Sequence, residues 1–307
     1  MEIMYWDVAK AADLAHTYNE QVAGVPHCYP VSPEDFQAGF PYQKYSDDYY
    51  REDIHSERII VAMQNAEIAG FADVALAEVE EGGRKESIGF IRFLTYKSGC
   101  RSAGQALLEE SERYLTGLGT DRIKAYRLHF RYDHGGYRFY HIGFSMISDQ
   151  LGHICALLHM NGYRISGGEI FMNQPSYTLA KPVPPDDQVE IALEQKSPVC
   201  AVLPGLCVRA FRNGKRIGTC ESTSAGEFSR SEKAQNWLFI TGLFVMDAEQ
   251  GKGWGRYLLQ RNLWEMQKAG YKNTVISTDI TNFRAQLFYM NYGYRMADTT
   301  FEFVKDI

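Results

Sequence analysis

Between Gln250 and Arg256 the chain reads Gln-Gly-Lys-Gly-Trp-Gly-Arg. That spacing offers the chemistry of a backbone more than of side chains. A glycine-rich turn ahead of a helix directs several N–H groups toward one point, and the positive end of the helix dipole adds to them. The ligand suited to such a point is a phosphate. No Gly-Lys-Ser/Thr follows at the Walker spacing, and the dinucleotide fingerprint Gly-x-Gly-x-x-Gly is not met.

The flanking elements must hold this loop. Before it lies an apolar run, Trp237 to Met246, that reads as a strand, followed by the acidic turn Asp247-Ala248-Glu249. Gly242 interrupts the strand, where a bulge or a close backbone approach is expected. After the loop a helical pattern runs from Arg256 to about Ala269, and Gly270 stands as its stop.

Read as Gln250-x-x-Gly253-x-Gly255, with Val245 five residues upstream, the loop fits Gln/Arg-x-x-Gly-x-Gly/Ala. It resembles the acetyl-CoA pyrophosphate loop of the GNAT N-acetyltransferase superfamily. A second family pattern, Asn-x-x-Ala-x-x-x-Tyr-x-x-x-Gly-Phe/Tyr, is matched by Asn282, Ala285, Tyr289, Gly293 and Tyr294. The resemblance implies acetyl-CoA as acyl donor, no metal, and a primary amine as acceptor in a ternary complex. By the same resemblance Leu243, Phe244 and Val245 pair with the pantetheine arm. Gln250 belongs to the loop motif, and Gly251, Lys252, Gly253, Trp254, Gly255 and Arg256 take the pyrophosphate. Asn282 contacts the cofactor and Tyr289 is the general acid. A phenol with a pKa near ~10 holds its proton at neutral pH.

The general base is not legible in the same way. All eight histidines lie at or before His159, which leaves the second half of the chain to rely on a carboxylate, a water chain or a histidine from the first half. Glu221 and Asp279 are candidates by position. The structural alternatives are plain: Asn282 as a helix cap, the two carboxylates as solvated or turn-capping groups.

Four landmarks repeat at offsets of 148 to 150 residues: Asn65 with Asn213, Ile68 with Ile217, Gly104 with Gly253, and Gly143 with Gly293. The expected fold is therefore α+β, two consecutive GNAT-like domains, each a mixed, mostly antiparallel sheet flanked by helices. The boundary is expected at 148/149, giving domains 1–148 and 149–307. A connecting helix (Leu151, Ile154, Leu157, Leu158), a proline-rich linker at Pro182 to Pro185 and a type I′ hairpin at Asn213-Gly214 follow it. Arg101-x-x-Gly104-x-Ala106 fits the loop pattern again, so Arg101, Ser102, Ala103, Gly104, Gln105 and Ala106 form a candidate second cofactor site. Counting back from Gly143, however, the tyrosine position holds Phe139 and the asparagine position Tyr132. Phenylalanine donates no proton, so the first domain is expected to be degenerate and the second catalytic.

The 307 residues carry a net charge of -6, which disfavours nucleic acid and anionic membranes as partners. Six scattered cysteines without a C-x-x-C pair, and an N-terminus without a signal-peptide pattern, point to the cytoplasm. A tyrosine-rich stretch (Tyr42, Tyr45, Tyr49, Tyr50) in an acidic chain favours a cationic small molecule as acceptor, with peptide amines also open. Two other readings stand beside the acetyltransferase: a non-catalytic acyl-CoA-binding or sensing protein, and an acyltransferase of this fold that uses a longer acyl chain.

Overall fold

The computed structural model describes residues 1–39, 53–81, 84–126 and 146–307. The tyrosine-rich stretch at 42–50, and Tyr132, Phe139 and Gly143, lie outside the described residues. The chain forms two compact units: Met1–Glu169 together with Asp298–Ile307, and Ile170–Ala297.

In chain order the first unit comprises β1 (Glu2–Trp6), α1 (Ala15–Val22), α2 (Pro33–Gly39), β2 (Asp53–Gln64), β3 (Glu67–Glu81), β4 (Arg84–Tyr96), α3 (Arg101–Gly117), β5 (Arg122–Ala125), β6 (Ile147–Ser148) and α4 (Gly152–Met160). Strand β7 (Arg164–Gln174) begins in this unit and ends in the second. Strands β1 to β4 form an antiparallel meander, and β5 joins β4 in parallel through Gly89–Ile91. Apolar side chains on both faces bury against helices. Tyr18 of α1 meets Phe93 at 5.8 Å between centroids, and Phe36 of α2 meets Phe71 at 6.2 Å, so α1 and α2 cover one sheet face.

The second unit comprises the end of β7, β8 (Glu190–Lys196), β9 (Gly205–Arg212), β10 (Lys215–Ser224), α5 (Glu232–Gln235), β11 (Trp237–Val245), α6 (Trp254–Ala269), β12 (Asn273–Asp279) and α7 (Phe283–Asn291). Its strand order is β7-β12-β11-β10-β9-β8. The hairpin between β9 and β10 turns at Asn213 and Gly214, both at positive φ (49° and 72°), the geometry a type I′ turn requires. Helix α6 packs Tyr257, Leu258, Leu263 and Met266 against the sheet. Among them the buried Asn262 accepts a hydrogen bond from the Ser222 hydroxyl (2.8 Å) and donates to the carbonyls of Leu206 and Cys220. Gly270, at φ 116°, closes the helix, with the Tyr271 N–H bonded to Met266 O, as the glycine stop predicts.

The last strand, β13 (Arg295–Asp306), starts in the second unit, but from Asp298 onward it belongs to the first. There Phe303 to Asp306 pair antiparallel with Ala125 to Arg122, and Thr300 and Phe301 pair with Ser148 and Ile147. Phe303 is fully buried in the first unit's core. The compact units thus divide at 169/170 and return the last ten residues to the first unit, where the sequence expects a single cut at 148/149. The cause is visible in α4. Its Ile154, Leu157 and Leu158 lie in the first unit's core, so the expected connecting helix is that unit's own closing helix.

Candidate functional site

Strand β11 pairs with β10 along its length but with β12 only from Trp237 to Ile240. The register on β10 slips between Glu221 and Ser222, which face Gly242 and Ile240, so Thr241 is a bulge residue. Past the bulge, Gly242 to Val245 lose β12 and keep one edge of backbone groups without a strand partner among the described residues. A cleft of about 630 Å³ opens beside that edge. Leu243, Phe244, Val245, Gln250, Gly251, Gly253, Gly255, Arg256, Asn282 and Tyr289 line it, joined by Arg284, Ala285, Phe288 and Tyr292.

The loop is shaped by its backbone. Gly251 and Gly253 sit at φ 78° and 89°, in the left-handed region that L side chains avoid. Gly253 is the N-cap of α6, whose first N–H groups lack intrahelical acceptors. Gly255 differs: its φ is ordinary, and an added Cβ would meet nothing closer than Phe288 and Val245 at 3.8 Å. Gln250 donates from Nε2 to Val245 O (3.0 Å) and Asp247 Oδ1 (2.8 Å), which fastens the loop to the end of β11. Two loop side chains turn elsewhere. Trp254 is buried in the core against Tyr257, and Lys252 pairs with Glu249 at 3.3 Å. Both line a separate hollow with Pro184, Pro185, Asp186, Asp187 and Arg212, so only their backbone groups belong to the loop's concavity.

Charge in the cleft is positive. Arg256 stacks over Tyr292 at 5.6 Å, and neither Arg256 nor Arg284 forms an ion pair among the described residues. Asn282 caps α7, its Oδ1 accepting from Ala285 N at 3.1 Å, and still lines the cleft. Tyr289 is 6% exposed and packs on Phe288 and Tyr294. Burial, with a smaller contribution from nearby Cys220, pushes its phenol well above the usual value, so the group stays protonated.

The two candidate bases part company. Asp279 accepts from the Thr281 N–H (2.7 Å) and hydroxyl, a turn-capping role. Glu221 stands directly opposite Gly242 beside the bulge; its Oε1 accepts from the Cys207 thiol at 3.3 Å and its Oε2 lies 3.4 Å from Lys196 Nζ. Burial and the Glu221 hydrogen bond push the Cys207 thiol up to about 11, so it remains an S–H donor at neutral pH.

The first unit has the same bulge and fills it. There the register slips between Asp73 and Val74, opposite Phe93 and Ile91, which makes Arg92 the bulge residue. Arg92 is buried and paired with Asp73 (2.7 Å) and Glu57. The next residue along the edge, Leu94, corresponds to Leu243; its N–H donates to the Tyr126 hydroxyl (3.1 Å), which donates back to its carbonyl. The backbone groups that Leu243 leaves open in the second unit are thus bonded internally at Leu94 in the first.

Arg101 to Ala106 form no loop: they are the first turns of α3, after a connection of only four residues (97–100). A Cβ on Gly104 would lie 2.5 Å from the Tyr96 ring, so that glycine serves close helix–strand packing. Gly293 ends α7 as Gly162 ends α4. Both have positive φ (90° and 85°), and the N–H of the following tyrosine bonds back to Tyr289 O or Leu158 O.

Residues 172–294 match the model of the Acetyltransferase (GNAT) family. That segment is similar to GNAT acetyltransferase domains and makes up less than half of the chain. No curated protein matches the sequence. Among solved structures, a tandem GNAT protein from the clavulanic acid biosynthesis pathway aligns over 99% of this chain and 98% of its own, at 10% identity and a TM-score of 0.67. A glucosamine N-acetyltransferase region of a fungal multi-domain GH3 β-N-acetylglucosaminidase aligns with 99% of this chain and 38% of its own, at 13% identity and a TM-score of 0.64. A GCN5-related N-acetyltransferase from Sphaerobacter thermophilus aligns over 99% and 95%, at 15% identity and a TM-score of 0.55. At these identities the likeness establishes the fold, two GNAT-like units in one chain.

Proposed function

We propose that the protein is an acetyl-CoA-dependent N-acetyltransferase for a primary amine, with one working site, in the second unit. One observation carries the proposal: the open edge Gly242 to Val245, the loop at Gly251 to Gly255 and the Tyr289 side chain meet in a single cleft. An exposed strand edge accepts an extended, amide-bearing chain as an added strand would be accepted. Loop N–H groups, with Arg256 and Arg284 nearby, suit a pyrophosphate. The residues present fit acetyl-CoA, which supplies the activated acetyl group as a thioester.

Glu221 takes the proton that the amine must lose, and the Cys207 thiol and Lys196 hold its carboxylate in place. As the amine nitrogen bonds to the carbonyl carbon and the carbon–sulfur bond breaks, Tyr289 gives its proton to the leaving sulfur. The sum is one amide and one free thiol, with Tyr289 reprotonated from solvent and Glu221 releasing its proton to solvent. The first unit serves as structure: Tyr126 occupies its edge, and the position that the motif gives to tyrosine holds Phe139, which donates no proton. No helix among the described residues is long and apolar enough to cross a membrane. With an acidic chain, the proposed setting is the cytoplasm.

Calorimetric titration of acetyl-CoA into the full chain tests this. The expected result is one site per chain, abolished by Gly255→Val with the melting temperature kept within about 2 °C. Gly255 is the right probe because a side chain there projects into the cleft without the backbone strain that Gly253→Val would add. Two sites, or binding that survives Gly255→Val, would refute the assignment. Binding without thiol release for any amine would leave an acyl-CoA-binding protein in its place.

A further inference from the structure

Among the described residues no helix covers the part of the second unit's sheet around Cys207 that matches the face under α1 and α2 in the first; only residues 197–204 connect β8 to β9 there, while farther along the same face Phe239 is buried against Phe228. Across that bare face the directly paired residues are Glu194, Cys207, Glu221 and Gly242, and in the next row Arg209, Thr219 and Phe244. Paired residues share a face, as do residues two apart along a strand. Four charges therefore surround Cys207 in alternation: Arg209 pairs with Glu194, and Lys196 with Glu221 at 3.4 Å. The matching positions of the first unit include Ile59, Val61, Phe71 and Phe93, all buried, with Asp73 as the counterpart of Glu221.

Phe244 belongs both to this face and to the cleft, and Glu221 opposes Gly242 at the bulge, so the face adjoins the open strand edge. Arg209 and Glu221 are diagonal neighbours, with Cα atoms roughly 7–8 Å apart. Any amine that took Glu221 would displace Lys196, and a polyamine would in addition meet Arg209 with like charge. An anion that took Arg209 would meet Glu221. A molecule with an amine and a carboxylate a few atoms apart satisfies both. Glu194, which it would replace on Arg209, is 59% exposed in its side chain, and an exposed pair of this kind is weakly held.

We infer that the acceptor is zwitterionic, an amino acid or a close analogue, its amine received at Glu221 and its carboxylate at Arg209. This rests on the cleft being the acyl-CoA site. It also departs from the cationic acceptor that composition favours, because local alternation of charge outweighs a net value summed over the whole chain.

The test is thiol release from acetyl-CoA by the full-length protein, with the standard amino acids, their amides, the matched decarboxylated amines and 1,4-diaminobutane as acceptors. At least one amino acid should exceed its own amide and amine about tenfold in kcat/KM. Arg209→Met should bring that ratio to about one through KM, and Arg209→Lys should restore part of it. A preference for the diamine or the decarboxylated amine, or an equal loss on acid and amide in Arg209→Met, would overturn the inference. Thiol release with no amino acid while calorimetry still shows acetyl-CoA bound would overturn it and leave the cleft assignment standing. Absence of acetyl-CoA binding would remove both.

Discussion

Tyr289 is held by aromatic neighbours with only 6% of its surface exposed, and that environment sets what it can do. Burial raises its pKa, so it keeps its proton through neutral and alkaline pH. A donor whose pKa is raised loses its proton only at higher pH. Tyr289 should therefore add no alkaline limb to the kcat profile below about pH 10. A fall in kcat centred below that value and abolished by Tyr289→Phe would contradict the burial argument. Removing the hydroxyl should lower kcat about a hundredfold, the lower range for a positioned acid. Acetyl-CoA affinity should stay within about twofold, because the ring still packs on Phe288 and Tyr294. Thiol-release kinetics and calorimetry on Tyr289→Phe check both halves.

Among the elements, the strand–loop–helix of the second unit was legible in sequence because it depends on backbone geometry that glycine spacing encodes. Gln250, Gly253, Gly255 and Gly270 stand where the pattern puts them. The orientation of side chains was less legible. Trp254 and Leu258 share a helix face, which sends Trp254 to the core; Arg284 and Phe288 join the cleft through the placement of α7, which no local pattern specifies. Among the described residues the first unit's loop motif proved to be helix. Arg101-x-x-Gly104-x-Ala106 matches in letters, but a four-residue connection brings α3 on too early for a phosphate loop. Turn chemistry separates the copies as well. The β9–β10 hairpin has Asn213-Gly214, whereas the β2–β3 hairpin has Asn65-Ala66, with Ala66 at φ 64°. An alanine held there costs about 1 kcal/mol. Ala66→Gly should recover much of that, seen as a higher denaturant midpoint at unchanged m-value, and an unchanged or lowered midpoint would refute it.

For the whole molecule, the repeat was readable, while the compact units divide the chain differently from a cut at 148/149, because a boundary drawn along the sequence takes each unit as contiguous. Strand β13 breaks that assumption. Phe303 fills the first unit's core, Ser148 donates to Asp298 at 2.8 Å, and Lys305 pairs with Glu112 at 2.8 Å. A chain ending at Ala297 should lose hydrogen-exchange protection first in residues 1–169, with β5 and α4 leading. Earlier loss in residues 170–297 would contradict the division. A fragment of residues 1–148 should fail to fold cooperatively, since it lacks α4 and the strand that pairs with β5.

The same strand sets an order of events on the ribosome. Synthesis at about 5–20 residues per second leaves the first unit without its closing strand for roughly ten seconds while the second is made. The unit begun first is finished last. Through that interval the strand edge at β5 stands open to any passing strand, and a chaperone that shields nascent edges would find its longest task at the start of this polypeptide.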